Sequence, residues 1–222
     1  MSVDDRRAER RALLLDAAYH LLGSDGYASL TVRSVFERAE LNPRYFYESF
    51  DDLDELVVAV YEHVVDELAA VVMHALEGTS DDAAAQVRAV VEGIVEFVDE
   101  DRRRGRVLYV EALGNEALNK RRIEAGQAVV AFIERYAAER SDRTSGDHVG
   151  RVGAAILVGG FTELLIDWLA GSIPATRTQL VDDATELFLA LGDAAAGIAS
   201  RRRPATPARL STLKRKAARG SS

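Results

Sequence analysis

Cysteine is absent from the 222-residue chain, which excludes a disulfide framework, a thiolate zinc site and a cysteine nucleophile. Proline occurs four times, and aromatic side chains account for only 7% of residues. What is abundant instead is Ala, Leu, Glu and Arg, all good helix formers, with Val the main exception. This composition predicts an all-α protein. No apolar run follows the charged start MSVDDRRAERR, so a standard secretory signal is not expected and the chain reads as cytoplasmic. Residues 154–170 are very apolar but carry Glu163 and Asp167, each costing on the order of a few kcal/mol in a bilayer. That window is expected to be a helix buried on both sides within a protein, with no membrane partner.

Enzyme signatures are missing as well. There is no G-x-x-x-x-G-K-S/T phosphate loop, no H-E-x-x-H helix, no G-x-S-x-G elbow and no dinucleotide-binding glycine triplet. His63 and His74 share a helix face but stand roughly 16 Å apart along it, too far for one metal ion. Asp51, Asp52 and Glu55 spell D-D-x-x-E, similar to the aspartate-rich magnesium motif of isoprenoid synthases. Acids at a helix start have a simpler cause in the helix dipole. No catalytic residue, metal or cofactor is expected, and the chain is not read as an enzyme.

With 48% hydrophobic and 29% charged residues, the chain can bury a core in one or two domains. Its net charge of −8 is uneven: residues 201–222 hold eight basic side chains and no acidic one. That segment reads as a basic disordered tail, either a solubilising end or a nucleic-acid arm.

Apolar positions at helical spacing divide the rest into successive helices. Leu14, Ala18, Leu21 and Leu22 mark a first helix over 10–24, stopped by Gly26. Thr31 is a natural N-cap for a short second helix carrying Val32, Val35, Phe36 and Ala39. After only Glu40 and Leu41, a third helix is announced by Asn42 as N-cap and Pro43 at the first helical position. Leu41 and Phe46 have the spacing of a hydrophobic staple, which fixes the angle of entry. Phe46 and Phe50 form the buried side, leaving Pro43, Arg44, Tyr45, Tyr47 and Glu48 on the remaining surface. Two short helices with a tight, angled join form a helix-turn-helix. Asp52 and Glu55 cap a long fourth helix over 53–76, and further helices are expected at 82–100, 104–114, 118–140, 147–171 and 177–199, about nine in all.

The stretch from Ala12 to Leu56 resembles the TetR-type (TetR/AcrR-like) transcriptional regulators. The resemblance rests on Gly26, Tyr27 and Thr31, on the Ala39 to Leu41 turn, and on Tyr47 and Phe50 before an acidic helix start. It implies that the first three helices bind double-stranded DNA, the third in the major groove, and that the others form a ligand pocket and a homodimer interface. It assigns DNA contacts to Thr31, Arg33, Asn42, Pro43, Arg44, Tyr45 and Tyr47, with Arg6, Arg7, Arg10 and Arg11 near the backbone. A guanidinium can bond O6 and N7 of guanine together, and tyrosine hydroxyls can grip phosphate. The family commonly has Gly where Glu40 stands and a phosphate-contacting Lys where Leu53 stands. Residues 1–50 carry seven basic and eight acidic side chains, a weaker basic footprint than a tight DNA binder shows.

The same resemblance makes helices 147–171 and 177–199 the dimer-forming pair. Gly153, Gly159 and Gly160 permit close approach there, and Ile156, Leu164, Val181, Ala184, Phe188 and Leu191 offer apolar surface. The pocket candidates are His63, Phe97, Tyr109, Phe132, Tyr136, Phe161, Glu163 and Trp168, although core packing explains the aromatic ones equally well. Glu163 and Asp167 would suit a cationic ligand or pair with Arg135. The expected division is 1–56 for DNA binding, 57–200 for ligand binding and dimerisation, and 201–222 for the tail. Two functions fit: a repressor that binds a pseudo-palindromic operator as a homodimer and is released by a small-molecule inducer, or a dimeric helical ligand-binding protein whose DNA binding is weakened or lost.

Overall fold

Helix follows helix along the whole path in the computed structural model, which describes residues 3–140 and 148–202. The described residues form nine α-helices and no strand: α1 (Val3–Asp25), α2 (Val32–Arg38), α3 (Pro43–Tyr47), α4 (Leu53–Glu77), α5 (Ala83–Glu100), α6 (Arg102–Gly105), α7 (Glu116–Arg140), α8 (His148–Leu169) and α9 (Arg177–Arg202). The all-α expectation and the helix count hold. The tail expected at 201–222 lies outside the described residues from 203 on, while Arg201 and Arg202 end α9.

Two boundaries differ from expectation for physical reasons. The first helix begins seven residues earlier than its apolar stripe indicates, because the turns before Leu14 are charged and exposed. The helix expected at 104–114 is instead α6, a π-helical turn over Arg106–Val110 and a 3-10 turn over Glu111–Leu113. A single widened turn leaves hydrophobic spacing almost unchanged, so the pattern hides it.

α1, α2 and α3 close a small core around Leu14, Ala18, Leu22, Val35, Phe46 and Phe50, with Leu56 and Val57 at the start of α4 joined to it. α4 then runs on into a bundle with α5, α7, α8 and α9, so one helix is shared by both parts. α9 turns Leu180, Val181, Ala184 and Thr185 inward. Val181 and Ala184 therefore belong to the core of one chain rather than to a surface shared between chains.

α8 departs most from expectation. It is the one described helix long and apolar enough to cross a membrane, yet only 17% of its apolar window is buried. It is not buried on both sides. One face packs on α7 and α9, while Val152, Ala155, Ile156, Gly159, Gly160 and Glu163 form an exposed stripe. Leu187 of α9 is also exposed, at 67%.

Candidate functional site

The join between α2 and α3 is built by local chemistry. Thr31 accepts a hydrogen bond from Ser34 N–H at 3.0 Å, and the Ser34 hydroxyl reciprocates at the Thr31 N–H, also at 3.0 Å. At the other end of α2, Leu41 N–H donates to Phe36 O and Glu40 N–H to Glu37 O, the paired bonds of a Schellman motif. Its left-handed residue is Glu40, with φ 53°. A glycine adopts that conformation freely, whereas a side chain there costs on the order of 1 kcal/mol. Asn42 then caps α3 by accepting from Arg44 N–H at 3.0 Å, with Pro43 at the first position.

Phe46 anchors α3 beneath the surface, wholly buried and 6.0 Å from the ring of Phe50. Asn42, Pro43, Arg44 and Tyr47 are exposed, as are Thr31 and Arg33, while Tyr45 is half-buried. The helix-turn-helix thus brings all seven sequence-assigned DNA contacts to one domain. Its arginines have partners already: Arg33 Nε is 2.7 Å from Glu37 Oε1, and Arg44 Nε is 2.7 Å from Glu48 Oε1. These pairs are exposed and therefore weak, worth about 0–1 kcal/mol.

Three arginines of α1 bear on α3 rather than pointing freely outward. Arg10 stacks over the Tyr45 ring at 4.3 Å, Arg11 over the Phe50 ring at 4.6 Å, and Arg7 donates to Glu48 O at 2.6 Å. A groove of about 310 Å³ between Arg7, Arg11 and Ser49 opens beside them. The early start of α1 explains this, since it places the charged turns against the following helices. Asp52 and Glu55 are spent on the start of α4: Asp52 accepts from Glu55 N–H at 2.8 Å, and the Glu55 carboxylate accepts from Asp51 N–H at 2.6 Å.

In the bundle, the sequence-assigned pocket residues separate into groups. Phe97 is buried under Arg104, Phe161 meets Phe188 edge to face at 5.1 Å, and Tyr109 lies on the π turn. Trp168 donates to Ala175 O at 2.8 Å, which ties down the α8–α9 connection. Phe132 and Tyr136 stack on each other, and Tyr136 donates to the buried Gln86 at 3.0 Å. His63 is exposed beside Glu67, and Glu163 is exposed on α8. Arg135 lies over Phe132 and not beside the acids of α8. Tyr61, in an ordinary apolar stripe, and Arg122, in a run of charges, are not among the sequence-assigned residues.

The two parts are joined by a polar latch at the end of α1. Gly23 lets α6 approach so closely that an added Cβ would lie 2.5 Å from Arg103 Cβ. Arg103 donates twice to Asp101, at 2.8 and 2.7 Å, and Tyr19 O–H donates to the same carboxylate at 2.7 Å. Arg103 also meets His20. Across the π turn, Arg106 donates to Ser24 O and to Glu111 at 2.8 Å, and Glu111 accepts from Tyr27 N–H at 2.8 Å. Gly26, with φ 85°, fits where a side chain would strike Arg106 and Glu111.

Burial by itself raises the Asp101 pKa, but the bonds from Arg103 and Tyr19 outweigh it and bring the carboxyl from 3.8 down to about 2. A depressed folded-state value stabilises the protein above the ordinary carboxylate range, and that contribution is lost as pH falls through about 2. Asp101→Asn is therefore expected to cost on the order of 2 kcal/mol at neutral pH. Urea unfolding at a series of pH values checks this. The gap between variant and wild type should close on acidification, and a constant gap would mean that the carboxylate charge is not what holds the latch.

A capped helix-turn-helix is thus latched to a helical bundle. Residues 14–60 match the family model of the bacterial regulatory proteins, tetR family. Among curated proteins, it is similar to the HTH-type transcriptional activator FasR of Mycolicibacterium smegmatis, at 32% identity over 103 residues, 46% of this chain and 47% of FasR. The chain spans about half the length of the curated relatives it matches. Among solved structures, it is similar to the fatty acid degradation regulator FadR from Bacillus halodurans, with TM-score 0.69 and 15% identity, covering 81% of this chain and 94% of that one. It is also similar to the multidrug binding protein EbrR complexed with imidazole, with TM-score 0.62 and 25% identity, covering 82% and 94%. These solved structures share the chain's all-α fold over 81–82% of its length.

Proposed function

We propose that the protein is a cytoplasmic, ligand-responsive transcriptional regulator that binds a pseudo-palindromic operator as a homodimer. The observation that carries this reading is the exposed face of α3, where Arg44 and Tyr47 stand clear of the surface while Phe46 locks the helix from beneath. Residues 1–56 act as the reading module, and residues 57–200 hold the ligand and join the two chains. Thr31, Arg33, Asn42, Pro43, Arg44, Tyr45 and Tyr47 contact the duplex. Arg44 and Arg33 leave their glutamate partners to bond guanine, and Arg7 and Arg11 line the groove nearest the phosphates.

The exposed stripe of α8 and the exposed Leu187 of α9 support a two-fold dimer, since an apolar surface of this kind is normally covered in a soluble protein. The ligand occupies the interior between α4, α5, the π turn, α7 and α8, in contact with Phe97, Tyr109 and Phe161. By favouring one spacing of the two reading modules, it shifts operator affinity. We assign the regulator the role of repressor, released by its inducer. The likeness to an activator supports the opposite polarity, which a promoter reporter in cells with and without the gene decides.

Footprinting on the DNA upstream of the protein's own reading frame tests the reading. Wild type should protect a two-fold site, and Arg44→Ala should bind it at least tenfold more weakly, in line with about 1–3 kcal/mol for a bidentate base contact. The neutralisation of Arg33 and Arg44 by their own helix favours the second reading, a ligand-binding protein without operator binding. Equal, weak affinity of both proteins for every duplex would establish that alternative.

A further inference from the structure

α7 carries two neighbouring arginines with opposite fates. Arg121 points outward and is neutralised by Glu62 at 3.1 Å and Glu124 at 3.1 Å. Arg122, about 100° further round the helix, turns toward α4. Its Nη2 donates to Asn119 Oδ1 at 3.2 Å, but its Nε is buried with no hydrogen-bond partner. Among the described residues no carboxylate pairs with it. A buried donor on a permanent cation, left without an acceptor, is costly and rare.

Tyr61, in electrostatic reach of this guanidinium, and Tyr109, in reach of Tyr61, lack partners too. Tyr61 of α4 is only 4% exposed, and Tyr109 lies on the π turn; among the described residues neither hydroxyl makes a hydrogen bond. Burial pushes Tyr61 up to about 12, an effect the Arg122 charge opposes. Tyr109 is pushed up by burial and by Tyr61. Both phenols are therefore protonated donors at neutral pH. Apolar Val57, Val60 and Val64 of α4 and Val107 and Leu108 of the π turn are buried in the same core. A cation without a carboxylate partner thus faces one unpaired hydroxyl donor, with a second beside it, and Asn119 Oδ1 is the one acceptor given to Arg122 among the described residues.

We propose that Arg122, Tyr61 and Tyr109 form the anion-binding end of the ligand site, and that the ligand is an organic carboxylate. This deepens the reading of the bundle as a ligand domain and rests on it. The guanidinium presents a fork of donors that matches the two carboxylate oxygens, and a desolvated site makes that match count for more. Glu163, the residue that would have suited a cation, lies on the exposed stripe of α8. Tyr109 shares its turn with Arg106, so an anion held by Tyr109 bears directly on the latch to α1.

Thermal shift with butyrate, octanoate and dodecanoate, each beside the matching alcohol and amine, tests the proposal in the full chain. At least one carboxylate should raise Tm by several degrees while its alcohol and amine leave it unchanged. Arg122→Gln, which removes the charge and keeps an amide of similar reach, should abolish that shift, and Tyr61→Phe should weaken carboxylate binding about tenfold. The proposal is overturned if no carboxylate shifts Tm, if the alcohols or amines do as well, or if Arg122→Gln responds like wild type. Should Arg122→Gln fold poorly, Tyr61→Phe decides the matter by the same comparison. Operator footprinting of the wild type without any added probe separates the two levels: if it protects no DNA, the regulator reading fails, while the carboxylate site is still judged by its thermal shifts.

Discussion

Phe46→Ala is expected to melt the reading module while leaving the bundle folded. Phe46 has no exposed surface and is the largest fully buried side chain among the described residues. Truncating such a ring costs about 3–5 kcal/mol through lost transfer energy and the cavity left behind. A module of three helices, one of them five residues long, has little stability in reserve. Hydrogen exchange should show early loss of protection over α1 to α3 with protection of α5 and α8 retained, and operator binding should vanish. A variant that keeps full protection in α2 and α3 would show that the short helices are held by something other than this ring.

The second large effect is expected from Ile156→Glu on the open face of α8. Ile156 is 56% exposed in one chain, so the change hardly disturbs the isolated fold. In the proposed dimer the new carboxylate would be buried without a partner, at a cost of about 3–5 kcal/mol, and two-fold symmetry inflicts it twice. Light scattering at micromolar concentration should report a monomer where wild type is a dimer. Operator affinity should fall with it, since the two half-sites are no longer bound by one body. A wild-type chain that is itself monomeric would remove this surface from consideration.

The reading module was written openly in the sequence because its signals are short-range. Thr31, Asn42 and Pro43 act on backbone groups within three residues, and the Phe46–Phe50 spacing decides which side of α3 is buried. Even Glu40, noted as a departure from the family's usual glycine, sits where the backbone turns left-handed. The early start of α1 was not legible, because its charged turns carry no apolar period and reach the rest of the module through the bond from Arg7 to Glu48 O. The π turn was hidden because apolar spacing hardly registers one extra residue. The pocket assignments were the least legible, since size and aromaticity select core residues and ligand contacts alike. Tyr61 and Arg122 become visible only through missing partners, a property of three-dimensional neighbours that no linear pattern encodes.

The pairing of Arg33 with Glu37 and of Arg44 with Glu48 has a further consequence for how such a protein would find its target among a chromosome's competing sequences. Random DNA offers each arginine only a phosphate, a charge much like the one it already holds, so the exchange gains little and dwell times off target stay short. A guanine at the right position offers two acceptors in one plane, which a lone carboxylate oxygen does not match. In the proposed regulator the acids beside the arginines thus act as a threshold, releasing them for the correct base pair and keeping the protein from being soaked up by the rest of the genome.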